Sequence, residues 1–222
     1  MAVLLLIRHA TNDFVKTGRL PGRTPNIHLN EEGRRQAEAL RTLLAPQRLH
    51  AVYSSQLERA IETAWRIAAQ HALPIHIRPD LADIDNGTFT GRIIKEITED
   101  PVSKDLWKVV VDTPSVAAFP DGEAMIDMQR RVVAQIDALA LAHPDLETPA
   151  AEPNAPPTRT PQTIAVVMHA DPIKAALAHY LGMPFDFFQR IGVAPASISS
   201  VVLNPADPAH KPHVLGVNRV PY

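Results

Sequence analysis

The 222-residue chain contains no cysteine, so a disulfide framework and thiolate metal sites are both excluded. It has no marked excess of either charge: 22 basic and 24 acidic side chains leave a formal net charge of −2. That balance gives no electrostatic case for nucleic acid or an acidic membrane surface as a partner. No stretch approaches the roughly 18 apolar residues of a membrane span. The apolar run near residue 3 is too short for a signal sequence and has no basic residues before it. The glycine patterns of nucleotide folds, G-x-x-x-x-G-K-[ST] and G-x-G-x-x-G, are missing, as is the G-x-S-x-G elbow of serine hydrolases. There is no internal repeat. These absences point to a soluble intracellular protein, with the cytoplasm as its expected location and no nucleic-acid or membrane partner.

What is present is organised around the first eleven residues. Val3 to Ile7 is a continuous apolar run rich in branched side chains, as in a strand buried on both faces. It ends at Arg8-His9-Ala10-Thr11. In open α/β sheets that carboxyl end is where ligands bind. Arg8 offers a planar anion clamp there, and His9 a neutral nitrogen nucleophile. A polar loop over residues 12–28 follows, carrying Lys16, Arg19 and Arg23 among glycines and prolines, suited to closing over an anionic substrate.

The rest of the chain alternates helix and strand signals. Asn30 reads as the N-cap of an amphipathic helix over 31–45, with Glu31 and Glu32 in its first turn. A short strand over 51–53 is followed by Ser55-Gln-Leu-Glu58, a capping-box pattern that predicts a helix over 56–71 with Arg59 near its start. Residues 74–77 suggest another strand. The stretch 81–91 is a loop with two carboxylates, Asp83 and Asp85. Between 92 and 119 there is a short helical pattern and an apolar patch at 107–111. Helical periodicity returns over 123–143.

Residues 144–161 hold six prolines and almost no apolar bulk, which predicts an extended, mobile surface loop within one domain spanning 1–222. Thr163 to Met168 is a second buried-strand run, ending at His169. Asp171-Pro172 has the look of an N-cap and first helical residue, opening a helix that stops at Gly182. Residues 197–203 and 213–217 are closing strands.

Alternating β and α elements imply an α/β fold with a mostly parallel central sheet and helices on both faces. The three junctions carrying Arg8-His9, Arg59 and His169 then share one sheet edge. Two histidines and two arginines converge there on a site for a dianion, most naturally a phosphate. His9, His169 and Asp171 also have the composition of a metal site, but two flanking arginines would repel a cation.

These residues are specific enough to carry a resemblance. Arg8-His9-Ala10-Thr11 resembles the RHG signature of the histidine phosphatase superfamily, the phosphoglycerate mutase-like group. Leu29 to Ala37 is similar to its L-x-x-x-G-x-x-Q-A segment, Ser55 to Ala64 to S-x-L-x-R-A-x-x-T-A, and Leu81 to Gly91 to L-x-E-x-x-x-G-x-W-x-G. Pro120-Asp-Gly-Glu123 and Val167-Met-His169-Ala170 match two later segments.

The resemblance implies the same phosphoglycerate mutase-like fold and a metal-independent phosphatase without a cofactor, acting on a small phosphorylated substrate. It makes His9 the nucleophile that becomes phosphohistidine, with Arg8, Arg59 and His169 around the phosphoryl oxygens. His9, Asp83 and His169 are the expected catalytic set; Arg8, Arg59, Arg23 and Ala170 are the expected substrate-binding set. Two positions depart from the pattern. Ala10 replaces the glycine after the histidine, and Asp83 stands where the family has a glutamate that protonates the leaving oxygen. Asp85 is the neighbouring alternative acid. Besides the phosphatase, a phosphomutase and a phospholigand-binding protein without catalysis fit the same residues. The sequence carries no signal for oligomeric state.

Overall fold

The computed structural model describes residues 1–148 and 157–221. The first apolar run forms strand β1 (Ala2–Arg8), and a single helical turn, α1 (Asp13–Lys16), follows. Helix α2 (Glu31–Leu44), strand β2 (Ala51–Ser54), helix α3 (Glu58–Gln70) and strand β3 (Ile75–Ile77) continue the alternation. Three helices then run without an intervening strand: α4 (Ile94–Glu99), α5 (Lys104–Asp112) and α6 (Met125–Ala142). Strands β4 (Leu146–Thr148) and β5 (Thr158–Thr160) precede β6 (Gln162–Met168), helix α7 (Ala170–Tyr180), β7 (Ile198–Leu203) and β8 (His213–Arg219).

The central sheet has the order β3-β2-β6-β1-β7-β8. Its first four strands are parallel, and β7 and β8 complete it antiparallel. The mostly parallel α/β expectation therefore holds, with both closing strands where the sequence suggested. Strands β1 and β6 lie side by side in register, from Ala2 opposite Gln162 to Arg8 opposite Met168.

Both apolar runs are central and covered on both faces, which is why neither alternates with polar residues. Leu4, Leu6, Ile164, Val166 and Met168 pack with α6 and α7 on one side. Leu5, Ile7, Ala165 and Val167 pack with α2 and α3 on the other. Each fully buried Leu or Ile contributes about 1.5–3 kcal/mol relative to exposure.

Local signals set the helices. The Asn30 side chain accepts the Gly33 amide at 2.9 Å and caps α2 as expected. Gly33 is required where it stands: a Cβ there would lie 2.0 Å from the Thr11 carbonyl oxygen, so the helix start abuts the chain leaving β1. In α6 the buried face is Met128, Val132, Ile136 and Leu139.

Several boundaries differ from the sequence reading. Helix α3 begins at Glu58 with Leu57 as its cap and no side-chain capping bond, so the Ser55 capping box does not form. Helix α7 begins at Ala170, with His169 in the cap position and Asp171 in the first turn. The region 92–119 holds two helices, not one. In the proline-rich segment, β4 and β5 pair as an exposed antiparallel ribbon; the remainder of the predicted loop, 149–156, lies outside the described residues. Among the described residues no helix is long and apolar enough to cross a membrane.

Candidate active site

Parallel strands bring their carboxyl ends to one edge, and the three junctions meet there. The amide of His9 donates to the carbonyl of Met168 at 2.9 Å, and that of Ser55 to Val167 at 3.0 Å. The imidazole rings of His9 and His169 are 5.1 Å apart between centroids. Arg59, in the first turn of α3, is fully buried; its Nη2 donates to the Gly22 carbonyl at 2.7 Å and to Asp83 Oδ2 at 3.3 Å. His169 Nδ1 lies 3.7 Å from the same Asp83 oxygen. Arg8 anchors one arm on the Val193 carbonyl at 2.7 Å. Arg8, His9, Asp83 and Ala170 line a cleft of about 180 Å³, joined by Arg19, Ile84 and Asp171. The structure thus brings six of the seven predicted site residues together.

The seventh, Arg23, is placed differently. Its guanidinium is spent behind the site: Nε donates to the Asp83 carbonyl at 3.1 Å and Nη2 to Glu123 Oε2 at 2.9 Å.

The orientation of His9 follows from its neighbours. Its Nδ1 is 2.7 Å from the Ala10 carbonyl oxygen, which only accepts. The proton therefore sits on Nδ1, and Nε2 keeps its lone pair. Thr63 Oγ1 accepts the Ala10 amide at 3.0 Å, and Gln36 Oε1 accepts the Thr11 amide at 2.9 Å. These two side chains, from α3 and α2, fix the turn that carries His9. Burial holds the His9 imidazole well below its usual pKa, and the cations of Arg59 and Arg8 lower it further. Burial does the same to His169, again helped by Arg59. Both rings are neutral at neutral pH.

Asp83 is pushed the other way. Burial raises its carboxyl to about 6, and Asp171 adds to the rise against the opposing pull of Arg59. A carboxyl near 6 in a cleft can give up or take a proton at working pH. Asp85 is committed elsewhere: its Oδ1 accepts the Gly87 amide at 3.0 Å, closing a turn, and it does not line the cleft. Geometry therefore favours Asp83 between the two acids. Arg59 Nε and Nη1 and His169 Nδ1 are buried nitrogens without a hydrogen-bond partner among the described residues.

Sequence reasoning missed Ser55, whose hydroxyl contacts His169 Nε2 at 2.8 Å, and Arg131, which binds the carbonyls of residues 80, 82 and 83. The Ser55 signal was visible but was read as a helix cap. Arg131 had no signal, since a polar residue on a helix carries no mark of what it touches.

The fold and the site define an α/β protein whose parallel sheet presents a histidine- and arginine-rich anion site at its carboxyl edge. The chain belongs to the histidine phosphatase superfamily (branch 1), whose family model matches residues 4–213. It is 28% identical over 202 residues to phosphoserine phosphatase 1 of Hydrogenobacter thermophilus, covering 90% of this chain and 86% of that one. It is 32% identical over 198 residues to a bifunctional protein of Mycobacterium tuberculosis, covering 88% of this chain and 49% of that one. Among solved structures, a mycobacterial glucosyl-3-phosphoglycerate phosphatase in complex with VO3 superimposes with a TM-score of 0.81 at 23% identity, over 99% of this chain and 100% of that one. At that identity the likeness concerns the fold.

Proposed function

We propose that this chain hydrolyses small phosphomonoesters through a phosphohistidine on His9. The observation that carries the reading is the hydrogen bond from His9 Nδ1 to the Ala10 carbonyl, which leaves Nε2 unprotonated in a cluster of Arg8, Arg59 and His169. In the first step Nε2 attacks phosphorus, the bond from phosphorus to the ester oxygen breaks, and Asp83 gives its proton to the leaving oxygen. In the second, water attacks the phosphohistidine, the P–N bond breaks, and the Asp83 carboxylate takes the proton released. A dissociative phosphoryl transfer needs placed positive charge most of all, and the two arginines supply it. The partnerless nitrogens of Arg59 and His169 are the groups a phosphoryl oxygen would satisfy. No metal or cofactor enters these steps.

Membership of the family and the phosphatase names of its relatives support hydrolysis as the outcome. The proposal treats 1–222 as one domain working in the cytoplasm, without nucleic acid or membrane as partner. Phosphoserine belongs in the first substrate panel because a relative is named for it.

The test is to quench the reaction of a ³²P-labelled aryl phosphate in base, which preserves phosphohistidine, and look for labelled protein. The wild type is expected to carry label and release phosphate, and His9→Ala to do neither. Turnover retained by His9→Ala would overturn the reading. A wild-type protein that binds vanadate without turning over any phosphomonoester would favour a binding protein instead.

A further inference from the structure

Arg131 reaches from α6 to the segment that carries Asp83 and commits three of its five N–H groups there and two to Glu123. Its Nη1 donates to the carbonyls of Asp80 at 2.8 Å and Ala82 at 2.9 Å. Its Nη2 donates to the carbonyl of Asp83 at 3.0 Å and to Glu123 Oε2 at 2.9 Å, and its Nε to Glu123 Oε1 at 2.6 Å. This is a two-pronged guanidinium–carboxylate pair, the most directional kind of ion pair. The two side chains are only 17% and 16% exposed, so solvent screens the pair weakly. Glu123 Oε2 also holds Arg23, whose Nε makes the second bond to the Asp83 carbonyl. Two guanidinium groups sharing one carboxylate thus converge on a single backbone oxygen.

The side chain of Asp83 is held more lightly. Its Oδ1 accepts the adjacent Ile84 amide at 3.0 Å, and its Oδ2 has the 3.3 Å contact with Arg59. An aspartate has one methylene fewer than glutamate and two side-chain torsions. Where its carboxyl can reach is set mainly by where its backbone sits. In a site where a 1 Å displacement costs up to about 10²-fold in rate, that backbone must be fixed.

We propose that Arg131 and Glu123 are positioning residues that clamp the Asp83 backbone so that an aspartate can reach the leaving-group oxygen. The inference rests on the reading of Asp83 as the general acid. All five N–H groups of Arg131 are taken by these backbone carbonyls and by Glu123, and both Glu123 oxygens accept from guanidinium groups, so the pair acts through Asp83 and not on the substrate. With one methylene fewer, the Asp83 carboxyl depends the more on where its main chain is held.

The experiment compares an alkyl phosphate, whose leaving oxygen needs a proton, with an activated aryl phosphate, whose leaving oxygen does not. Arg131→Gln is expected to lower kcat on the alkyl ester about 10- to 100-fold, within the usual range of acid assistance, and on the aryl ester by less than about threefold. KM should stay within about twofold for both. Glu123→Gln keeps the side-chain size and is expected to act in the same direction, which covers the case in which Arg131→Gln does not fold. Adding Arg131→Gln to Asp83→Asn should cost little more than Asp83→Asn alone, because both remove the same proton transfer. Asp83→Glu, with its longer reach, should restore part of the alkyl-ester rate in the Arg131→Gln protein. Equal losses on both esters, or losses that multiply with those of Asp83→Asn, would overturn the clamp while leaving Asp83 as the acid. An Asp83→Asn protein that does not itself distinguish the esters would remove the acid reading, and the clamp with it.

Discussion

The Ser55 hydroxyl oxygen lies 2.8 Å from His169 Nε2 and at the same time accepts the Leu57 amide at 3.2 Å. The Leu57 N–H takes one lone pair of that oxygen, and the arrangement that leaves a donor on the far ring nitrogen is the one in which the serine gives its own proton to Nε2. The imidazole proton then falls on Nδ1, the nitrogen that faces Asp83. The opposite tautomer would set a ring lone pair against the Asp83 carboxyl oxygen 3.7 Å away. Ser55 therefore selects which nitrogen of His169 donates into the site.

Replacing that hydroxyl should free the tautomer. Ser55→Ala is expected to lower kcat/KM about tenfold, corresponding to one hydrogen bond of ordinary strength, with a melting temperature lowered by only a few degrees. Steady-state kinetics and a thermal melt check both parts. An unchanged kcat/KM would show that His169 holds its tautomer without the serine.

The pH profile follows from Asp83. If Asp83 is the proposed general acid, its carboxyl, raised to about 6, works protonated, so kcat/KM on an alkyl phosphate should fall as pH rises through about 6. His9 does not impose an opposing limb in that window, since its imidazole is held well below the usual range. Substrate phosphate also titrates near about 6. The part of the limb due to the enzyme is the part that disappears in Asp83→Asn.

Stability should depend on pH through the same buried rings. His9 and His169 have folded pKa values below their unfolded ones, so the unfolded chain binds more protons once pH drops below about 6.5. Stability is lost on acidification from there. Asp83, raised to about 6, works in the opposite sense between about 4 and 6, where the folded state holds its proton more tightly. Two rings against one carboxyl leave a net loss. Urea midpoints at pH 7.5 and 5.5 should therefore be lower at the acid value, and a midpoint that rises would contradict the neutral histidine pair.

Gly33→Ala should couple packing to catalysis. The added methyl meets the Thr11 carbonyl at 2.0 Å, a contact that forces α2 and the chain after His9 apart. An overpacked site of this kind costs about 1–3 kcal/mol. Denaturant unfolding should show that loss, and kcat should fall with it because Thr11 lies two residues beyond His9, the proposed nucleophile. A stable, fully active variant would mean that the helix start yields without disturbing His9.

Hydrolysis and phosphoryl exchange are separated by giving the protein 2- or 3-phosphoglycerate. Free phosphate with little isomer exchange is expected. Fast exchange with little phosphate would assign the chain to the mutase side.

The parts of the fold legible in the sequence were those fixed by burial. The runs ending at Ile7 and Met168 are apolar on both faces because they sit in the middle of the sheet, and no other placement suits them. Asn30 was legible because its capping bond is local. Ser55 and Asp171 misled for a related reason. The local pattern offered each a helix cap, but His169 draws the Ser55 hydroxyl, and α7 starts one residue before Asp171. Glu123 matches a family segment, yet the helical periodicity placed it in α6. It lies before that helix instead, with its amide on the Asp85 carbonyl and its carboxylate on two arginines. Partnerships across 40 or more positions, such as Arg131 with Asp83, depend on how elements pack and leave no periodic trace.

Strands β1 and β2 do not touch each other; β6 lies between them. On the ribosome both are made long before the strand that joins them. Translation runs at about 5–20 residues per second, so the roughly one hundred residues from the end of β2 to the start of β6 take about 5–20 s to emerge. Over that interval two apolar strands have open hydrogen-bonding edges and no neighbour to fill the gap, which is the condition for pairing with other chains. The second histidine arrives on the heels of the missing strand. A chain cut before β6 is therefore expected to aggregate, since it lacks both the strand that fills the centre of the sheet and His169 at its end.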